Sequence, residues 1–173
     1  MNIKESNLLP RDLLLAIEEI YTPAGISITS MPLQEAESSE YSACRLALNG
    51  QNIVFRVAKT TPTKIGQFVT LWMRRNKITS PFDIADNIDF IVVSVSDETH
   101  RGQFVFDRKI LIEKGIMSCN GKGGKMAIRV YPPWTTAIAK QAIQTQRWQL
   151  EYFFIIETDG STDLERVRQL FHA

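Results

Sequence analysis

VFRVAKTTPTKIGQFVTLW, residues 54–72, is the stretch from which the fold is read. An apolar run carries Arg56 inside it and reaches Lys59. The turn Thr60-Thr61-Pro62-Thr63 follows with a second lysine, Lys64, and then Gly66, Gln67 and a row of large apolar residues. A period of two places Ile53, Phe55, Val57 and Lys59 on one face of a strand and Val54, Arg56 and Ala58 on the other. Lys59 is therefore expected at the end of an apolar row, where a desolvated ammonium needs a carboxylate or phosphate partner. The competing reading has the lysine snorkelling past the strand end while Arg56 forms a structural salt bridge to Glu35, Glu37 or Glu40. Arg56, Lys59 and Lys64, with threonine hydroxyls between them, point to a surface that faces an anion.

Upstream of this stretch, residues 41–48 and 53–59 read as a strand pair. They are joined through Asn49-Gly50, a dipeptide favoured where backbone dihedrals turn positive. Residues 67–73 read as the third strand of a meander, although Ile65, Phe68 and Trp72 also fit a helical face. Residues 74–77 and 80–82 read as a loop. Residues 90–95 and 103–106 read as strands, 107–114 as a short helix ended by Gly115, and 126–131 as a further strand. A helix is expected from about residue 137 to 151, capped by Thr135 or Thr136, and a last one over 162–171. At the front, residues 8–21 have the spacing of an amphipathic helix, with Pro10 in the first turn. Residues 26–40 read as a surface connection with an edge strand. These elements predict an α+β fold, one domain over residues 1–173, with an antiparallel meander or mixed sheet flanked by helices.

Composition narrows the class of function. The chain has 173 residues, 44% hydrophobic and 23% charged, as a soluble globular protein does. A net charge of +1 means that phosphate binding must come from a local patch. Cys44 and Cys119 are too few for a disulfide framework, and His100 and His172 are the only histidines, so a histidine-based zinc site is not expected. The first twenty residues carry charge throughout and lack a signal-peptide core. No apolar run approaches a membrane span. A cytoplasmic, monomeric protein with no membrane association is expected.

Three further clusters carry chemistry. In Arg129-Val130-Tyr131-Pro132-Pro133-Trp134, Arg129 and Tyr131 share a strand face; Trp134 is either a core anchor or a stacking surface, and the Arg129 fork suits phosphate or carboxylate. The loop Gly121 to Lys125 lacks the spacing of a phosphate-binding P-loop and enters a strand rather than a helix; it reads as a basic hairpin loop. In Gln144-Thr145-Gln146-Arg147-Trp148-Gln149, the amides either read base edges or satisfy buried backbone groups. Asp83, Asp86 and Asp89 read as a capped turn rather than a metal site.

Together these segments resemble the MepB family, named for a protein encoded beside a multidrug efflux pump and its regulator. The matching elements are FRVAKTTPTKIGQFVTLW (55–72), PFDIAD (81–86), GQFVF (102–106), KGIMS (114–118), KMAIRVYPPW (125–134) and TQRWQ (145–149). The family has no established enzymatic activity. More distantly, a meander whose strand ends in acid-x-Lys resembles the PD-(D/E)xK nucleases of restriction-endonuclease-like fold. In those enzymes two carboxylates hold a divalent metal and the lysine positions the attacking water. Lys59 fits the lysine slot, but the acid slot two residues earlier holds Val57, and the upstream carboxylate would be Glu40, with Glu35 and Glu37 as the weaker alternatives. The resemblance implies a nucleic-acid-binding protein on a nuclease-like scaffold with a degenerate, non-catalytic site. Its partner would be DNA or RNA, held through phosphates by Arg56, Lys59, Lys64 and Arg129 with Gln67 and Trp148 as secondary contributors. No metal or other cofactor is expected. Two alternatives stay open: a nuclease dependent on magnesium or manganese, with Lys59 and Glu40 as its catalytic residues, and a binder of a small anionic ligand or protein partner in stress or drug response.

Overall fold

In a computed structural model, which describes residues 9–173, Asn49 and Gly50 have φ of 49° and 76° and close the hairpin between β2 (Cys44–Leu48) and β3 (Gln51–Val57). Asparagine and glycine tolerate this left-handed backbone, and the turn fixes the register Leu46↔Ile53 and Cys44↔Phe55. The edge strand expected within residues 26–40 is β1 (Ile28–Gln34), antiparallel to β2. On its other side β3 pairs with β8 (Phe90–Ser96), and this pairing is parallel. The sheet then continues antiparallel through β9 (Arg101–Asp107) and β11 (Phe153–Ile155), giving the order β1-β2-β3-β8-β9-β11.

Each face of this sheet buries a separate core. Ile53 and Phe55 of β3 face a first core with Leu13, Ile20 and Tyr21 on one side and Val167, Leu170 and Phe171 on the other. The partners of Ile53 and Phe55 come from α1 (Arg11–Ala16), its π-helical continuation Ile17–Tyr21, and α4 (Leu164–Leu170) with its C-cap Phe171. Leu8, the first residue of the expected front helix, lies outside the described residues. Val54 and Ala58 face a second core with Val69, Leu71, Phe82, Leu111 and Val130. The period-two reading is thus right from Ile53 to Ala58 and fails at Lys59, which leaves this sheet. Burying both faces also explains why β3 and β8 are near-continuous apolar runs.

The second core is roofed by chain that the sequence reading places differently. The connection from β3 to β8 is a second layer of strands: β4 (Lys59–Thr60), β5 (Gln67–Thr70), β6 (Trp72–Arg75) and β7 (Ile78–Pro81). β10 (Ala127–Val130) joins this layer, giving a small sheet of order β10-β5-β4, while β6 and β7 form their own hairpin. Residues 67–73 are therefore not the third strand of the main meander. The place beside β3 goes to β8, and a break at Leu71 divides the segment between β5 and β6. The expected loop at 74–77 and 80–82 is largely the β6/β7 hairpin, turned through Asn76 and Lys77 at positive φ.

Two helices complete the roof, α2 (Arg108–Glu113) and α3 (Lys140–Gln149). Asp107 caps α2 by accepting from Ile110 N, as Asp163 caps α4 by accepting from Arg166 N. α3 begins after Ala139 with no side-chain cap, so neither Thr135 nor Thr136 has the role expected of it. The chain is α+β.

Candidate functional site

The site begins where β3 ends. Ala58 N still donates to Ser94 O of the main sheet (3.0 Å), but the next residue, Lys59, pairs with Phe68 of β5. Phe68 in turn pairs with Arg129 of β10. Side chains in register on adjacent strands project to the same face, so Lys59, Phe68 and Arg129 form a row across the small sheet. The opposite face turns to the second core, with Val69 and Val130 fully enclosed and Gln67 buried beside them. The row therefore faces outward, and Lys59 is exposed rather than desolvated at the end of an apolar row. The chain's move from one sheet to the other at Ala58 is what turns it out.

Aromatic rings separate the cations of this row. The Arg129 guanidinium lies 5.6 Å from the centre of the Phe68 ring, and Lys59 Nζ lies 5.3 Å from that of Tyr41. Tyr41 and Phe68 meet edge to face at 6.1 Å. Arg129 also organises the turn after β4. It donates to Thr61 Oγ1 (2.7 Å) and to Ile65 O (3.3 Å), which leaves Lys64 exposed between those two anchors. Gly66 closes the turn at φ 80°, where an added Cβ would sit 2.7 Å from the Tyr131 ring. Arg129 and Tyr131, which share a strand face, thus hold the turn that carries Lys64.

Alongside β10 runs a groove of about 440 Å³ between that strand and α3. Lys114, Lys125 and Arg129 line it together with Tyr131, Thr145 and Trp148, and no carboxylate does. Lys114 Nζ stands 5.4 Å from the Trp148 ring centre. Behind the groove, the buried Gln149 serves as a missing strand for the edge of β10. Its amide donates to Arg129 O (2.8 Å) and accepts from Tyr131 N (2.9 Å). Gln146 likewise donates to Pro132 O and Thr135 O. These amides satisfy backbone groups. Among the described residues, none of Lys59, Lys64, Lys114, Lys125 and Arg129 is ion-paired with a carboxylate.

Two expected anion contacts are placed elsewhere. Arg56 is fully buried, beside Phe82 in the second core, and donates to Glu35 Oε1 (3.2 Å) and to Phe55 O (3.0 Å). Glu35 also accepts from Arg45 (3.2 Å), so the structural salt bridge is the arrangement present. Burial pulls the Arg56 guanidinium below its ordinary value, opposed by Glu35. Gln67 is also buried, its amide donating to Ser96 O (2.7 Å) and Thr60 Oγ1 (3.2 Å), which ties the small sheet to the end of β8. With Arg56 in the interior and Lys59 on the open face, no closed pocket surrounds Arg56, Lys59 and Arg129. Trp134 is half-buried, stacked on His100 at 4.9 Å and set edge to face on Phe153.

The acids near the site hold backbone or stand in solvent. Glu40 is exposed and makes no ion pair with Lys59. Among the described residues no group of three His, Cys, Asp or Glu is placed to hold a metal ion. Asp83 accepts from Gly121 N, Ser118 Oγ and Ala85 N, and these bonds hold its carboxyl down at about 2. Asp86 pairs with Arg75 and accepts from Asp83 N, and Asp89 accepts from Asn52 N. Asp83 thereby fastens the Gly/Lys loop to the turn after β7. Sequence reasoning missed Tyr41, Phe68 and Lys114, because only the β4-β5-β10 pairing and the α2–α3 contact bring them to this face.

Comparison with known proteins adds a lineage to this geometry. A family model described as MepB-like matches residues 35–155. The crystal structure of MepB shares 37% sequence identity with the chain and superposes with a TM-score of 0.71, over 75% of this chain and 87% of that one. No protein of curated function matches the sequence.

Proposed function

The chain belongs to the MepB-like family, and from that premise we propose that it binds nucleic acid, as a monomer and without cleaving it. Lys59, Lys64 and Arg129 contact the phosphates. The observation that carries this reading is the outward row of unpaired cations on the small sheet, with Phe68 and Tyr41 set between them. Cations already neutralised by carboxylates have little to offer a polyanion, whereas these retain their full charge. An open sheet face suits a long backbone, and aromatic rings between the cations suit exposed bases. Arg56 and Gln67 act behind the face: one is locked to Glu35, and the other pins β4 and β5 to the main sheet.

The path of the chain supports binding without cleavage. The β1-β2-β3 meander followed by Lys59 is the nuclease-like feature that supports a restriction-endonuclease-like origin. In an acid-x-Lys strand the two side chains share a face. Here Val57 packs toward the first core, while Lys59 has passed to the second sheet. Neither a carboxylate nor a shared face is present at the position that would hold a metal.

Titration of labelled DNA and RNA in about 50 mM salt tests the reading. Binding should persist in a chelator, and Lys59→Ala should weaken it roughly three- to tenfold. Absence of binding, or binding indifferent to Lys59→Ala, would defeat it.

A further inference from the structure

The groove beside β10 is not explained by the row on the sheet. It is a partly open groove between β10 and α3, and its volume of about 440 Å³ is on the scale of small-molecule sites. Its lining is specialised as well. Lys114 and Lys125 are exposed and unpaired, Arg129 is shared with the sheet face, and no carboxylate opposes them. One end is formed by the start of α3, where Gln141 and Ala142 line the groove. The other end is formed by Trp148, seven residues further along the same helix, or about 10 Å at 1.5 Å per residue. Three cations and an aromatic ring in one carboxylate-free groove match a ligand that carries both an anionic group and a flat ring.

The geometry points to a nucleotide site: the groove takes one nucleoside 5′-phosphate, its phosphate between Lys125 and Arg129 and its base against Trp148. Thr145 and Gln141 offer hydrogen bonds along the way. Lys114, whose ammonium now stands over the Trp148 ring, gives that place to the base and turns to the phosphate, a movement its flexible stem allows. Gln149 keeps the wall rigid by pairing with the β10 backbone on both sides of Val130. The biological setting rests on the nucleic-acid reading, in which the nucleotide is the 5′ end of a single strand. The same chemistry would also hold a free nucleotide.

Intrinsic fluorescence of the full chain, titrated with adenosine 5′-monophosphate and with adenosine, decides it. Of the three tryptophans only Trp148 lines the groove. The monophosphate should quench saturably, and adenosine should bind about tenfold more weakly or less. Trp148→Phe should lose most of the quench. Lys125→Gln, an exposed position, should weaken monophosphate binding about tenfold while leaving the melting temperature unchanged. Equal binding of both compounds, no saturable quench, or indifference to Lys125→Gln overturns the site. Long-strand binding lost with Lys59→Ala, in a protein that ignores the monophosphate, sinks the groove and spares the sheet face. Monophosphate binding in a protein that binds no strand spares the groove and sinks the nucleic-acid reading. A 5′-phosphorylated hexamer that binds more tightly than the monophosphate assigns the groove to strand ends, and one that does not assigns it to free nucleotides.

Discussion

Arg56 shows how much one residue's role depends on its surroundings. A fully buried guanidinium with a single carboxylate partner leaves Nε and one terminal nitrogen without hydrogen-bond partners. Such a group costs desolvation energy that one ion pair only partly returns. Two substitutions separate the pair's parts. Glu35→Ala removes the carboxylate shared by Arg45 and Arg56 and strands a buried charge. The expected loss is about 2–3 kcal/mol, below the full cost of a broken buried pair because Glu35 keeps 20% side-chain exposure. Arg56→Met replaces the buried charge with an apolar chain and leaves Glu35 its bond to Arg45, so a change within about 1 kcal/mol is expected. Urea denaturation measures both. A larger loss from Arg56→Met than from Glu35→Ala would mean that the guanidinium has a partner beyond Glu35 and Phe55.

At the scale of elements, the turn between β4 and β5 joins the packing to the proposed site. Gly66 lies at φ 80°, and a methyl there would meet the Tyr131 ring at 2.7 Å and Val130 O at 2.8 Å. Gly66→Ala is expected to destabilise by at least about 1–2 kcal/mol from the backbone alone. It should also displace Lys64 and weaken nucleic-acid binding, because Tyr131 and Arg129 hold the turn from the same strand. Thermal melting and a binding titration check the two effects together, and a variant of full stability and full affinity would contradict the packing described. This turn also marks the limit of what sequence shows. The Asn49-Gly50 turn and the alternation along β3 are local, and they are legible because backbone preference and the period of two require nothing distant. The partner of Lys59 is not local. Whether β3 runs on to residue 59 or releases the chain at Ala58 depends on β10, some seventy residues later, offering β5 an edge. The three residues of β11 are equally hidden, since Phe153 and Phe154 follow the expected helix with no strand signal of their own and become a strand only by pairing with Phe104 and Gln103.

For the molecule as a whole, the main sheet divides support from the proposed binding face. The family-matched segment, residues 35–155, contains the small sheet, both roof helices and the groove, while α1 and α4 cover the opposite face from outside that segment. The cations proposed to meet phosphate are thus concentrated on one side of a chain whose net charge is only +1. Long-range attraction to a polyanion is weak in such a protein, and binding must come from phosphates neutralised one by one. This makes the salt dependence a count of contacts. If Lys59, Lys64 and Arg129 each meet one phosphate of a duplex, the logarithm of the binding constant should fall against the logarithm of salt with a slope of about −2.7. Removing Lys59 and Lys64 together should reduce that slope to roughly −0.9. A slope near zero, or one unchanged in the double variant, would show that the affinity does not come from this face.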